Sequence, residues 1–389
     1  MTGDESNSAR PLRIHALMSK PCAGVGVGAT CRALLQGALI AGHRPELFTS
    51  RDDAHNAEPF PLHSYAPGLL RLLPHRLSRR VTVPRAHLDF ARHLPLADVA
   101  YLWPSVPTGV FRAVRDVERP LVGEAINTRM ADAKPILDAA FESLGVRPSH
   151  RISDARIRVE AENLALMDYI FSPSPATDAS LARGLAHHRI LPSSYGVWVP
   201  PHLPARRAKA TGEPVTFLFV GLSCIRKGLH HLLEVWKDVP KNAHLRIAGM
   251  NQPELWNLFA DVFAQENVSA TGFTPHVVAE YTKADALVLP SLEEGDPLVI
   301  YEAAARGLPV LASQVGSGRI GAETGAIHTL DTANVAALRQ AVETFTRHED
   351  LRRDWGDRAR AASFHYDWSK VAARRFALLA KVLAEESRA

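Results

Sequence analysis

An α/β protein built from two Rossmann-like domains is the architecture this sequence predicts, and three observations carry it. Twice the chain opens a unit with an apolar strand, a glycine-bearing turn and a helix, over residues 12–41 and again over 215–236. Short continuous apolar runs alternate with helical spacing through both halves, as strands buried on both faces require. Between the halves, residues 199–214 (VPPHLPARRAKATGEP) concentrate proline and basic side chains, the best linker in the chain. With 389 residues, the simplest division is a polar, disordered 1–11, a first domain over 12–203, a second over 204–365 and a terminal helical segment over 366–389.

Residues 12–18 (LRIHALM) form the first apolar strand, followed by KPCAGVGVGAT and a helical run over 30–41. Gly24, Gly26 and Ala29 satisfy the looser G-x-G-x-x-A dinucleotide fingerprint. The loop before the first glycine is long, however, and the next strand (45–49) carries Glu46 near its start where the fingerprint wants an acid at the end. Residues 97–103 (ADVAYLW) and 120–123 (PLVG) read as further buried strands. GEAINTRM then places Glu124, Asn127 and Arg129 at the carboxyl edge of a parallel sheet, where ligands bind; ordinary loop polarity explains them equally well. From 152 to 167 the spacing is helical, and MDYIFSPSPATDASLARGL supplies strand, Ser-Pro turn and helix.

The segment 68–94 sets Arg71, Arg76, Arg79, Arg80, Arg85 and Arg92 and three histidines against Asp89 alone, with leucines on an apolar side. Two readings stand: a basic amphipathic surface for an anionic leaflet, or a solvated loop whose leucines pack inward, with Pro74 and Pro84 interrupting any long helix.

The second unit restarts with the apolar run 215–220 (VTFLFV), then GLSCIRKG and the helix LHHLLEVW; strands follow at 244–250, 267–273 and 284–290. After the last comes SLEEGDPLVIYEAAAR, residues 291–306. Asp296 is placed to cap the helix, Pro297 to take its first position and Gly307 to end it. A strand feeding a helix through a tight turn leaves free N–H groups at the mouth of a sheet, where diphosphates sit. Glu294 flanks that mouth, and Glu302 lies about 7.5 Å further along the helix axis, at ~1.5 Å per residue.

The pattern Glu294, seven residues, Glu302, then Ala and G-L-P-V resembles glycosyltransferase family 4, retaining enzymes of the GT-B type with two Rossmann-like domains facing across a cleft. The resemblance implies that Glu294 contacts a donor sugar and Glu302 the ribose hydroxyls, while the amides of Gly295, Leu298 and Val299 hold the diphosphate. It implies that Lys227, six residues after the strand-end Gly221, grips the phosphates jointly with Arg226. The loops after Gly249 and Gly272 would hold the base, with Phe273 either packed on the base or, more simply, in the core. The loop containing Gly26 would line the cleft near donor sugar and acceptor, and the terminal helix would cross back onto the first domain. Asp296-Pro297 replaces the usual Phe-Gly, which removes one amide donor and brings a carboxylate close to the diphosphate unless it is turned inward. No histidine follows the strand ending in Tyr101-Leu102-Trp103-Pro104, so the family's His contact has no counterpart. The likeness is strong over 215–316, moderate over 152–198 and at the terminus, and thin over 51–150.

The implied activity is transfer of a hexosyl unit from a nucleoside diphosphate sugar, with retention, to a glycan or lipid-linked acceptor in surface glycan, polysaccharide or glycolipid synthesis. No cofactor beyond that donor is expected, and no metal: there is no D-x-D in the chain, so leaving-group charge falls to Arg226, Lys227 and the helix start. A nucleotide-sugar epimerase of the same architecture, a non-catalytic nucleotide-sugar-binding partner protein and an oxidoreductase using the Gly24 loop are the alternatives. A net charge of +4 does not argue for nucleic acid, and three scattered cysteines suit neither a disulfide framework nor a zinc site. With no apolar stretch of spanning length and no signal-like start, a cytoplasmic protein is expected, peripheral at the inner membrane face if 68–94 docks there.

Overall fold

The structure, a computed structural model, describes residues 10–53, 58–66, 73–203, 212–239, 242–250, 252–331 and 334–387. Most of the expected disordered start (1–9), part of the linker (204–211) and the leucines and arginine of 67–72 therefore lie outside the described residues. Arg10, within the stretch expected to be disordered, reaches Asp98 at 3.4 Å.

Two parallel sheets stand at the centres of two Rossmann-like domains, as the sequence predicts. The first contains β1 (Arg13–Met18), β2 (Arg44–Thr49), β3 (Leu62–Ser64), β4 (Val99–Leu102), β5 (Leu121–Glu124), β6 (Tyr169–Ser172) and β7 (Ile190–Pro192), in the order β3-β2-β1-β4-β5-β6-β7. The second contains β8 (Val215–Val220), β9 (Ala243–Ala248), β10 (Val268–Gly272), β11 (Ala286–Leu289), β12 (Val310–Ser313) and β13 (His328–Leu330), in the order β10-β9-β8-β11-β12-β13. The adjacent central strands β8 and β11 are apolar along nearly their whole length, Phe217, Leu218 and Phe219 being fully buried, because helices cover both faces. In each sheet the strand order reverses once, between β1 and β4 and between β8 and β11. The loops leaving those four strands flank the crevices where ligands of such sheets bind.

Several local expectations are corrected. The first helix begins at Gly26, inside the glycine loop, and runs to Ile40. A helix spans His75–His93 straight through Pro84, with Pro74 at its N-cap. Proline lacks a donor but not the helical φ, so on an exposed face it costs one hydrogen bond without ending the helix. Leu73, Leu77 and Leu88 face solvent, so among the described leucines of 68–94 the inward-packing reading holds only for Leu94.

The terminal helix Trp368–Glu386 lies against the first domain, on the helix Gly26–Ile40. A Cβ at Gly37 would stand 2.5 Å from that of Ala372, so only glycine permits the approach. Arg375 ties the helix down. It donates to Glu124 at 2.6 Å with both side chains wholly buried, lies 4.3 Å over the Phe171 ring, and donates to the Ser193 hydroxyl at 2.9 Å.

Candidate functional site

The loops after β8 and β11 meet at the switch point of the second sheet, and glycines allow the fit. Gly221 (φ +127°) ends β8 with the Lys227 side chain folded over it. A Cβ at Gly249 (φ +150°) would fall 1.7 Å from the Gly221 carbonyl, and one at Gly228 (φ +71°) 1.8 Å from the Pro290 carbonyl. The Leu292 amide then donates to the Arg226 carbonyl at 2.9 Å, fastening one loop to the other.

Arg226, Lys227 and Glu294 consequently form one ion cluster. Lys227 Nζ donates to Glu294 Oε1 at 2.6 Å, Arg226 Nη1 stands 3.2 Å from Glu294 Oε2, and the Ser291 hydroxyl donates to Oε1 at 3.1 Å. Burial alone would raise the Glu294 carboxyl, but Lys227 and then Arg226 bring it down to about 2. For Arg226, burial works against the charge while Glu294 and then Glu293 push its value upward. Arg226 and Glu294 are therefore both charged at neutral pH, packed with Lys227 in a largely buried corner.

The helix that follows spans Leu298–Ala304, shorter than expected, with Pro297 at the N-cap and no side-chain cap. The Leu298 and Val299 amides open it, where no intrahelical carbonyl reaches them. Glu302 sits half-buried on the same helix and accepts from the Tyr281 hydroxyl at 2.6 Å through Oε2. Phe273, at the end of β10, is 65% exposed, so its assignment to the core is wrong.

Asp296 does not cap that helix. It is buried, accepting from the Tyr195 amide of the first domain at 2.7 Å, the Arg319 amide at 3.0 Å and the Tyr301 hydroxyl at 2.7 and 2.9 Å. Its carboxylate is thus turned into the domain junction and away from the helix start. Burial pushes Asp296 up to about 6, against the pull of those hydrogen bonds and of Arg319. The carboxyl binds its proton more tightly folded than unfolded, where an aspartate titrates near 3.8. Its contribution to stability is therefore complete below about pH 4 and is lost as pH rises through 6. Asp296→Asn cannot ionise, and its melting temperature relative to wild type is expected to rise from pH 4 to pH 7; a difference flat with pH would contradict this.

Glu293, which sequence reasoning passed over, holds the two domains together. It accepts from Asn127 Nδ2 at 2.9 Å and from the Thr128 amide and hydroxyl at 3.1 and 2.7 Å. A Cβ at Gly295 would lie 2.0 Å from the Ile126 carbonyl, so the cleft walls touch here. Arg319 adds a second clasp, donating to both oxygens of Asp178 at 2.9 and 2.8 Å and to the Ser172 and Pro173 carbonyls. The only sequence hint was a Glu-Glu pair in a turn.

The first-domain candidates separate. Glu124 is a structural ion-pair partner, bonded to Arg375 and the Tyr101 hydroxyl, and is unavailable to a ligand. Arg129 is turned toward the helix Pro175–Ala182, with its amide and guanidinium on Ser180. Of these three, Asn127 alone reaches the second domain, at Glu293. Gly26 (φ +57°) starts the first helix at the carboxyl edge of β1, and a Cβ at Gly28 would meet the Ala23 carbonyl at 2.5 Å. Among the described residues no three His, Cys, Asp or Glu side chains gather as a metal site, and no helix is long and apolar enough to cross a membrane.

Residues 205–362 match the family model of glycosyl transferases group 1. An uncharacterized glycosyltransferase of Haemophilus influenzae is 27% identical over 179 residues, 44% of this chain and 51% of that protein. The chain thus spans about half the length of that relative. Among solved structures, a sucrose-phosphate synthase from Thermosynechococcus elongatus superposes with a TM-score of 0.73 at 19% identity, over 96% of this chain and 100% of that one. Anabaena HepE in complex with UDP and glucose superposes at 0.70 with 14% identity, over 96% and 100%. These likenesses establish the GT-B fold along the chain and the group 1 resemblance within the second domain.

Proposed function

We propose that this protein is a retaining, family 4 glycosyltransferase, moving a hexosyl unit from a nucleoside diphosphate sugar to an acceptor met across the cleft. The observation that carries the reading is the Arg226–Lys227–Glu294 cluster beside the Leu298 and Val299 amides, at the switch point of the domain matching group 1 glycosyl transferases. The donor diphosphate lies against those amides and the two cations, which stabilise charge on the leaving oxygen as the C1–O bond breaks. The acceptor oxygen bonds to C1 on the same face, and its proton passes to the leaving phosphate oxygen. Glu294, ionised and held by Lys227 and Ser291, orients the sugar; Glu302 binds the ribose through the oxygen not taken by Tyr281.

Melting shifts across a panel of nucleoside diphosphates test the reading, with UDP included because a neighbour of this fold holds it. A rise for one base is expected, together with turnover that persists in chelator and keeps the donor's anomeric configuration by NMR. No shift with any nucleotide would overturn it. Within this site, Glu302→Ala is expected to weaken nucleoside diphosphate binding about tenfold to hundredfold, the loss of one charge-assisted hydrogen bond. Glu294→Gln should hold affinity or tighten it, since it frees two cations for phosphate, yet lose turnover. Equal affinities for wild type and Glu302→Ala would remove the ribose role.

A further inference from the structure

The helix His75–His93 presents to solvent a face left uncovered among the described residues. Ser78, Thr82, Ala86 and Phe90 are its buried side, packed on β1 and β2. Opposite them, positions 77, 81, 84 and 88 recur at helical spacing and carry Leu77, Val81, Pro84 and Leu88 in one narrow stripe. Leu77 and Leu88 are 57% and 54% exposed. At 100° per residue, Arg76 and Arg80 flank it on one side and Arg85 and Arg92 on the other. Among the described residues none of these arginines has an ion pair. Asp89, the helix's sole acid, is turned away to Tyr65, His63 and His93.

A second observation lies beside this stripe. Between this helix and the helix Thr108–Asp116 is a cavity of about 230 Å³, lined chiefly by Leu88, Phe90, Ala91, Leu94, Val110 and Ala113. A slot so apolar suits hydrocarbon and holds water poorly. The helix also has a fixed relation to the cleft. Arg51, just beyond the end of β2, donates to the Leu73 carbonyl at 2.9 Å, and Ser19, just beyond β1, bonds His87 at 2.7 Å. The stripe therefore starts at the carboxyl edge of the first sheet, beside the loops that line the crevice.

We propose that this face docks on the anionic leaflet of a membrane, the leucine stripe entering the acyl boundary, the arginines on lipid phosphates and a stretch of acyl chain in the slot. An apolar stripe edged by unpaired arginines matches such a surface in both polarity and charge, where a protein partner would need an acidic rim. The proposal rests on the transferase reading only in making a lipid-linked acceptor reachable from the cleft; the docking itself does not depend on turnover.

Liposome flotation of the full chain tests it, using phosphatidylcholine vesicles with and without phosphatidylglycerol. Binding to the anionic vesicles alone is expected, weakening as salt rises and falling about fivefold for each of Arg76, Arg80 and Arg85 changed to serine. Leu88→Trp should float like wild type, with its fluorescence quenched by lipids brominated on the acyl chain. All four positions are exposed, so unchanged melting temperatures show that the variants fold. Absence of binding to anionic vesicles at low salt, equal binding to neutral ones, or full binding by the triple serine variant would overturn the docking. Nucleoside diphosphate melting shifts in the same preparations keep the two readings apart: shifts without flotation remove the docking alone, and flotation without shifts removes the transferase reading alone.

Discussion

Lys227→Ala is expected to lower turnover by roughly 10²–10³-fold, the cost of removing one preorganised donor to a developing oxyanion. The reason is geometric. Lys227 Nζ is held at 2.6 Å from Glu294 in a corner where Gly221 and Gly228 bring the β8 loop under β11, so no neighbouring amine can take its place. Arg226 remains to hold Glu294 at 3.2 Å, which keeps the loop folded and restricts the defect to chemistry. Steady-state kinetics with the donor identified by melting shifts is the measurement, and a melting curve is the control. A variant within tenfold of wild type would show that the cluster serves the fold and not the leaving group.

Arg375→Ala is expected to destabilise the protein by about 3–5 kcal/mol, because it leaves the Glu124 carboxylate buried without its cation. That pair joins the terminal helix to the first sheet with neither side chain exposed. Replacing both, as Arg375→Met with Glu124→Leu, should restore most of the loss, since an apolar pair of similar volume carries no desolvation cost. Denaturant midpoints of the three proteins measure this. Two domains need not unfold together, so the first transition is the one to compare. A single variant within about 1 kcal/mol of wild type would mean that Tyr101 alone suffices to satisfy Glu124.

Much was legible from the chain alone where the signal is local. At the centre of the second sheet β8 and β11 announce themselves as apolar runs, within 215–220 and 284–290, because burial on both faces demands it. Lys227 six residues after Gly221, and Glu302 eight after Glu294, are short-range spacings that the resemblance to family 4 singles out. The glycine-bearing strand-turn-helix openings belong to the same level, as does the resemblance to family 4 glycosyltransferases, whose coarser part, a likeness to glycosyl transferases group 1, is what residues 205–362 match.

Pairing across the fold was not legible. Glu124 read as a ligand at a strand end because nothing near it in sequence reveals Arg375, which arrives 251 positions later on another helix. Glu293 was hidden for the same reason, its partners Asn127 and Thr128 lying in the other domain. Asp296 had the chemistry of a helix cap, yet Tyr195, Tyr301 and Arg319 supply closer donors once the domains meet. The sequence by itself determined which segments become the central strands of the two sheets, since that follows from periodicity and neighbouring residues. Only the tertiary structure decided which charges are spent on one another, because a buried carboxylate takes whichever donor the packed chain brings within hydrogen-bonding distance, however distant that donor is along the chain.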